Sequence, residues 1–161
     1  MSDRHLLQET ALHNEDSLKT LVRAITRSQG DFSLILARCN CGMQRRRIVK
    51  QLRKQCPVEI RELVLERSVK TLYSTIAEEV GLEEPSALMV SSLESVISLD
   101  QLLIATNQVR EEFRNLAYPM VLWVTDEVLR RLIRLVPDFE SWATSVEFTT
   151  VTAESELLSV A

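Results

Sequence analysis

DFSLILARCNCGMQRRRIVKQLRKQC, residues 31–56, places an apolar run, a tight turn and a strongly basic segment in series. Residues 32–39 are apolar for most of their length, which is typical of a strand that is covered on both faces. Residues 43–55 predict a helix whose apolar stripe is made of Met43, Ile48, Val49 and Leu52. A strand, a loop and a helix in this order predict the first unit of a phosphate-binding α/β domain.

The turn of this unit, RCNCGMQRRR, lacks the loop that binds nucleotide phosphates. A P-loop follows G-x-x-x-x-G-K-[ST], because backbone N–H groups wrap the phosphates, Lys neutralises their charge and Ser or Thr holds Mg²⁺. Gly42 is the one glycine of the turn, and no Lys or hydroxyl residue stands in register. The chain has only 3 glycines, so a Rossmann G-x-G-x-x-G loop is excluded as well. The missing loop argues against an enzyme and predicts no cofactor.

Length and composition predict one globular domain. The 161 residues are 45% hydrophobic and 26% charged, and the net charge of −4 gives the whole surface no reason to attract nucleic acid or an anionic membrane. The N-terminus lacks the cationic and apolar regions of a signal peptide, which predicts a cytoplasmic location. Cys39 and Cys41 are too close together for the usual zinc spacing, and both histidines lie far away, so we expect reduced thiols and no metal.

Four more strands follow at the spacing of β–α units. They are predicted at 58–66, 86–93, 119–125 and 146–149, with the first of them half-exposed near a sheet edge. The helices between them are predicted at 70–80, 98–116 and 127–135, the last capped by Asp126. This alternation indicates a three-layer α/β/α sandwich with a mainly parallel five-stranded sheet. We expect a leader at 1–16, a domain at 17–149 whose first helix is capped by Asp16 or Ser17, and a tail or link at 150–161.

Two groups of residues are candidates for binding. Ligands of open α/β sheets bind beyond the carboxyl ends of the strands, which points to an anion or ligand site there. Its candidate residues are Asn40, Gly42, Arg45, Arg46 and Glu94. The basic helix offers a protein-contact surface, for which two leucines of the tail are further candidates. The residues of that surface are Arg47, Lys50, Arg53, Lys54, Leu157 and Leu158.

The segment from 99 to 142 carries a family resemblance. N-x-x-R-E, then PMVLWV, then L-x-R-L-x-R-L-V-P-D-F-x-S-W occur in series, and the resemblance extends over residues 17–149. The chain is similar to the inactivated STAND-type P-loop NTPase modules found beside tetratricopeptide repeats in bacterial conflict systems. The resemblance implies an ASCE-like strand order of 5-1-4-3-2, a degenerate Walker A loop, and Glu94 at the position of the family's acidic strand end. It also implies a signalling role.

Three functions remain open from the sequence, and the third of them is a small anion- or nucleic-acid-sensing adaptor that uses the basic helix. The first is a non-catalytic signalling or scaffolding module that acts through protein contacts, either with a protein partner or with a second copy. The alternative is a divergent nucleotide-binding ATPase or GTPase that uses the Asn40–Gly42 loop, the nearby arginines and Glu94.

Overall fold

The computed structural model describes residues 2–149, with side chains from residue 4 onward. Five strands are present within this range: β1 (Ser33–Arg38), β2 (Arg61–Val64), β3 (Leu88–Ser91), β4 (Pro119–Val124) and β5 (Thr144–Glu147). The helices are α1 (Ser2–Arg27), α2 (Gly42–Gln55), α3 (Leu72–Val80), α4 (Leu99–Gln108), α5 (Arg110–Phe113), α6 (Asp126–Leu135) and α7 (Pro137–Glu140). No helix of residues 2–149 has the length and apolar character of a membrane span.

The five strands form one parallel sheet. Their order is β2-β3-β4-β1-β5, and β1 lies between β4 and β5 in parallel register. This is the expected order of 5-1-4-3-2 read from the other edge, so the predicted three-layer α/β/α fold is confirmed. β2 lies at an edge and alternates buried with exposed residues, as its sequence predicted. All strands run the same way, so their carboxyl ends meet at one edge of the sheet.

Each face of the sheet has its own core. Successive residues of a strand point to opposite faces, so Leu122 of β4 packs in the layer of α3 to α7, while Trp123 packs in the layer of α1 and α2. Phe113 anchors the first layer, since its ring centroid lies 4.9 Å from that of Phe139 and 5.2 Å from that of Tyr73. The strands β3 and β4 are therefore buried at every position, which explains why their sequences are apolar except for Ser91 at the end of β3.

The helix boundaries differ from the sequence expectation at three places. α1 runs without a break through Asp16 and Ser17, so the predicted N-cap there is wrong; the Ser17 hydroxyl instead donates to the Glu147 carbonyl of the neighbouring strand at 2.6 Å. The predicted helix 98–116 is broken at Val109 into α4 and α5. The N-cap of α6 is Thr125 rather than Asp126, because the Thr125 Oγ1 accepts from the Val128 N–H at 3.2 Å.

Candidate functional site

The loop between β1 and α2 is short. Only residues 39–41 separate the last residue of β1 from Gly42, which opens α2. An added Cβ at Gly42 would meet no protein atom within 4 Å, so no close approach of the described chain requires glycine there. The Cys39 side chain turns inward and donates to the Cys41 carbonyl at 3.5 Å, and burial raises the pKa of the Cys39 thiol. The three-residue loop is too short to wrap a phosphate chain as a P-loop does.

Arg38, Asn40 and Asp126 form a polar cluster at the carboxyl ends of β1 and β4. The Arg38 guanidinium donates to the Asp126 carboxylate, and the Asn40 Nδ2 donates to the second oxygen of that carboxylate at 2.9 Å. The Asn40 Oδ1 in turn accepts from the Asp126 backbone N–H at 2.8 Å. The cluster therefore ties the β1–α2 loop to the start of α6.

Both charged groups of this cluster are stabilised in their ionised forms. The hydrogen bond to Asp126 is the main reason that the pKa of Arg38 is raised, and the carboxylate of Glu147, 3.8 Å from the Arg38 Nη2, adds to the effect. The hydrogen bonds from Arg38 and then Asn40 lower the pKa of Asp126. A carboxylate that is ionised and already holds two donors has little capacity left to act as a general base.

Arg45 and Glu94 form a second pair at the same edge. Glu94 lies in a single 3₁₀ turn, Leu93–Ser95, that follows β3. The turn is entered through Ser92, a non-glycine residue with a φ of 73°. The Arg45 Nη1 lies 3.2 Å from the Glu94 Oε1, so the carboxylate that follows β3 is paired with an arginine of α2. The structure thus brings two of the predicted ligand residues together as an ion pair.

The outward side of α2 is basic. At 100° per residue, Arg46, Arg47, Lys50 and Lys54 lie on an arc of about 100° opposite the buried side of the helix, and all four are exposed. Met43 lies within this arc, with 62% of its surface exposed. Among the residues described, the α2 cations with carboxylate partners are Arg45 and Arg53. We refer to Met43, Arg46, Arg47, Lys50 and Lys54 as the α2 face.

Arg53 differs from the rest of the predicted contact surface. Its Nη1 donates to the Ile60 carbonyl at 2.8 Å, and its Nη2 lies 3.4 Å from the Glu62 Oε2. The two contacts fasten the end of α2 to β2 and to the residue that precedes it. Arg53 therefore serves the fold, whereas Arg47, Lys50 and Lys54 remain available. Leu157 and Leu158 lie outside the described residues.

An acidic surface lies at the opposite edge of the sheet, where β2 and β3 begin. Glu59, Glu83 and Glu84 line a depression of about 270 Å³. Arg61 is the cation of this depression, and it is already bonded to the Glu79 carbonyl at 2.7 Å. Leu82, next to the depression in sequence, is completely exposed. We refer to Glu59, Glu83, Glu84 and Leu82 as the acidic corner.

Arg38 and Asp126 are the main residues of the edge that sequence reasoning did not assign to the site. The sequence predicted Asp126 as a helix cap and placed Arg38 at the start of the turn, and neither was among the candidate ligand residues. Their opposite charges at the carboxyl ends of β1 and β4 were the available signal, because those strands are adjacent in the expected sheet order. In the described part of the chain, no group of three His, Cys, Asp or Glu side chains is placed to hold a metal ion.

The comparisons with known proteins support the fold. No protein-family model and no curated protein matches this sequence. Among solved structures, the Aeropyrum pernix ORC1 protein, determined in complex with DNA, is similar with a TM-score of 0.52 and 16% sequence identity. The match covers 92% of this chain and 48% of the ORC1 chain, so this chain spans about half the length of that structure. At this identity the likeness concerns the fold alone, and together with the strand order it confirms the P-loop NTPase-like α/β class.

Proposed function

We propose that this chain is a non-catalytic signalling or scaffolding module that acts through protein–protein contacts. One observation carries the proposal: at the carboxyl ends of β1, β3 and β4, polar side chains of the candidate site are bonded to one another in two groups. Asp126 holds Arg38 and Asn40, and Glu94 holds Arg45. A phosphate ligand would have to break these bonds and would find no glycine-rich loop in return.

The α2 face supplies the contact surface in this proposal. Four cations and one exposed methionine lie on one side of a rigid helix, and the cations have no carboxylate partner among the described residues. A surface of this kind fits a partner with a complementary acidic surface, which would steer association and fix its register. The proposal extends to membership of the inactivated STAND-type modules and to a bacterial cytoplasmic protein. It takes residues 17–149 as the domain, 1–16 as a leader and 150–161 as a tail or link.

Nucleotide titration tests the non-catalytic part. We expect no change in the melting temperature with ATP or GTP and Mg²⁺ at about 1 mM. A ligand that bound with micromolar affinity would stabilise the fold by about 4 kcal/mol. For a chain of this size that is a shift of about 10 °C. A shift that is abolished by Arg45→Ala and Glu94→Ala, but kept when the matched surface pair Arg131 and Asp100 is replaced by alanine, would refute the proposal.

A second titration tests the contact surface. A fluorescent glutamate-rich helical peptide should bind wild-type protein weakly, and Lys50→Glu with Lys54→Glu should abolish the binding. Arg130→Glu with Arg134→Glu is the matched control, since it makes the same charge change at the same i, i+4 spacing on α6, in the other layer. Equal binding by all three proteins would show that the α2 face is not the contact surface.

The alternative function is nucleotide binding by the Asn40–Gly42 loop, the nearby arginines and Glu94. The observation in its favour is that Asn40, Gly42, Arg45 and Glu94 lie at one edge of the sheet, with Arg45 and Glu94 in contact. The nucleotide titration above decides between the two. The solved ORC1 structure contains DNA, so a DNA duplex is included beside the peptide. Tight binding of the duplex that weakens steeply with salt and is lost in the α2 variant would replace protein by nucleic acid as the ligand.

A further inference from the structure

We propose that the partner of the α2 face is the acidic corner of a second copy of this chain. The inference rests on the proposed function, because it names the partner of the same surface. The proposed contact joins two different surfaces. Cations of α2 from one copy enter the carboxylate-lined depression of the next copy, and Met43 and Leu82 supply apolar contact beside them.

The first support is the separation of charge within the chain. α2 contains 6 of the 19 Lys and Arg residues and no acidic residue, which leaves 13 cations against 23 anions in the remainder. One chain thus carries a strongly basic helix on an otherwise acidic body. Complementary patches on one molecule attract each other between copies, in spite of the net negative charge.

The second support is the shape and composition of the acidic corner. Glu59, Glu83 and Glu84 are exposed around one depression, and the single cation that lines it is bonded to Glu79. Three carboxylates with one committed cation leave negative charge that a Lys or Arg side chain would neutralise. Leu82 stands beside them without any covering residue, as Met43 does on the α2 face.

The two surfaces do not satisfy each other within one molecule. α2 packs with α1 on one face of the sheet; Glu83 and Glu84 follow α3 of the opposite layer, and Glu59 lies in the link between α2 and β2. Among the residues described, Arg46, Arg47, Lys50 and Lys54 form no ion pair, and neither do Glu59, Glu83 and Glu84. The cations of one copy are therefore free to attract the carboxylates of another copy.

The dimensions of α2 set the strength of the contact. Fourteen residues make a helix about 21 Å long, and one side of such a helix covers only a few hundred Å², below the roughly 800 Å² per partner of a stable interface. We therefore expect weak, reversible self-association that high salt suppresses. Because the two surfaces differ, each copy offers both, and association is not restricted to a closed dimer.

Sedimentation velocity of the full chain at about 0.05–0.5 mM protein tests this contact. The wild type should show a concentration-dependent sedimentation coefficient in about 0.05 M NaCl that disappears in about 0.5 M NaCl. The α2 variant, Lys50→Glu with Lys54→Glu, and the corner variant, Glu83→Lys with Glu84→Lys, should each remain monomeric. An equimolar mixture of the two variants should associate again, because the reversed charges complement each other between molecules.

The charge controls separate this contact from non-specific effects. The corner variant has a net charge near zero, so non-specific attraction predicts more self-association than in the wild type, whereas the proposed contact predicts less. Arg130→Glu with Arg134→Glu matches the α2 variant in net charge and should still associate. Circular dichroism and melting curves confirm that each variant is folded; because all the substituted side chains are exposed, we expect them to fold.

Three results would overturn the inference: a monomeric wild type at every concentration, association of both variants alone, or a mixture that stays monomeric. A monomeric wild type that still binds the acidic peptide through α2 would leave the proposed function standing and remove only the second copy as partner. Nucleotide binding in the titration above would remove the proposed function whatever the oligomeric state.

Discussion

Replacement of Asn40 by alanine tests the claim that the polar cluster at the carboxyl ends of β1 and β4 stabilises the folded protein. The substitution removes the bonds from the Asn40 Nδ2 to the Asp126 carboxylate, at 2.9 Å, and from the Asp126 N–H to the Asn40 Oδ1, at 2.8 Å. Each hydrogen bond contributes about 0.5–1.5 kcal/mol, and exposure of the cluster favours the lower half of that range. We therefore expect a loss of about 1–2 kcal/mol in the free energy of unfolding, or about 2–8 °C in melting temperature.

Urea denaturation followed by circular dichroism measures this loss. Asn115→Ala is the matched control, because Asn115 is an exposed asparagine whose side chain makes no hydrogen bond in the described residues; it should change the free energy by less than about 0.5 kcal/mol. Asp126→Ala, alone and with Asn40→Ala, completes a double-mutant cycle with an expected coupling of about 1 kcal/mol. If Asn40→Ala costs no more than Asn115→Ala, the edge is not held by this cluster, and Asn40 is available to a ligand.

Four further outcomes follow from the described contacts. Gly42→Ala should leave the free energy of unfolding unchanged or raise it by up to about 1 kcal/mol, because Ala is the better helix former and its Cβ meets no atom. A decrease of more than about 1 kcal/mol, measured by urea unfolding, would contradict this. The folded pKa of Asp126 is lowered below its ordinary value of 3.8, so its contribution is complete above that pH and is lost as the pH falls through the folded pKa. Acid titration of stability should therefore show a smaller loss below about pH 4 for Asp126→Asn than for the wild type, and parallel curves would be the contrary result. Thr125→Ala removes the N-cap of α6 and should cost about 1 kcal/mol by the same urea assay. Phe113→Ala empties the centre of an aromatic cluster and should cost about 3–5 kcal/mol, which a thermal melt would detect as a large drop in melting temperature.

The apolar strands were the most predictable part of the molecule. β1 and β4 are covered on both faces, so their sequences are nearly continuous in apolar residues and are recognisable without any partner. The ends of the elements were less predictable, because capping depends on which backbone N–H a side chain reaches. Asp126 has a capping side chain and follows a strand, yet its carboxylate is held by Arg38 and Asn40, and the adjacent Thr125 caps the helix. The sequence also failed to predict that α1 continues through Ser17. The Ser17 hydroxyl does not cap a helix; it bonds to the carbonyl of Glu147 in β5, which is far away in the sequence.

Some features of the candidate site were likewise predictable from the sequence, and others were not. The absence of a phosphate-binding loop follows from the sequence, because three glycines and no lysine in register cannot supply the backbone geometry and charge that the loop needs. The basic character of α2 also follows, since six cations at known positions must surround the apolar stripe. The pairing of Arg45 with Glu94 joins residues 49 positions apart, and that of Arg38 with Asp126 joins residues 88 positions apart. No pattern among neighbouring residues of the sequence predicts either pairing.

By itself, then, the amino-acid sequence determined the α/β class, the strand order implied by its family resemblance, and the loss of the nucleotide loop. These depend on periodicity and residue type, which act over a few neighbouring positions. Only the tertiary structure decided which charged side chains form ion pairs and which have no partner among the described residues. Parallel strands bring their carboxyl ends to the same side of the sheet, so Arg38 and Arg45 find carboxylates there. Arg53, in the last turn of α2, pairs with Glu62 of β2, while Lys50 and Lys54 face outward. The same folding leaves Lys50 and Lys54 without an ion pair to the acidic corner among the described residues, because Glu83 and Glu84 follow α3 in the layer opposite to α2.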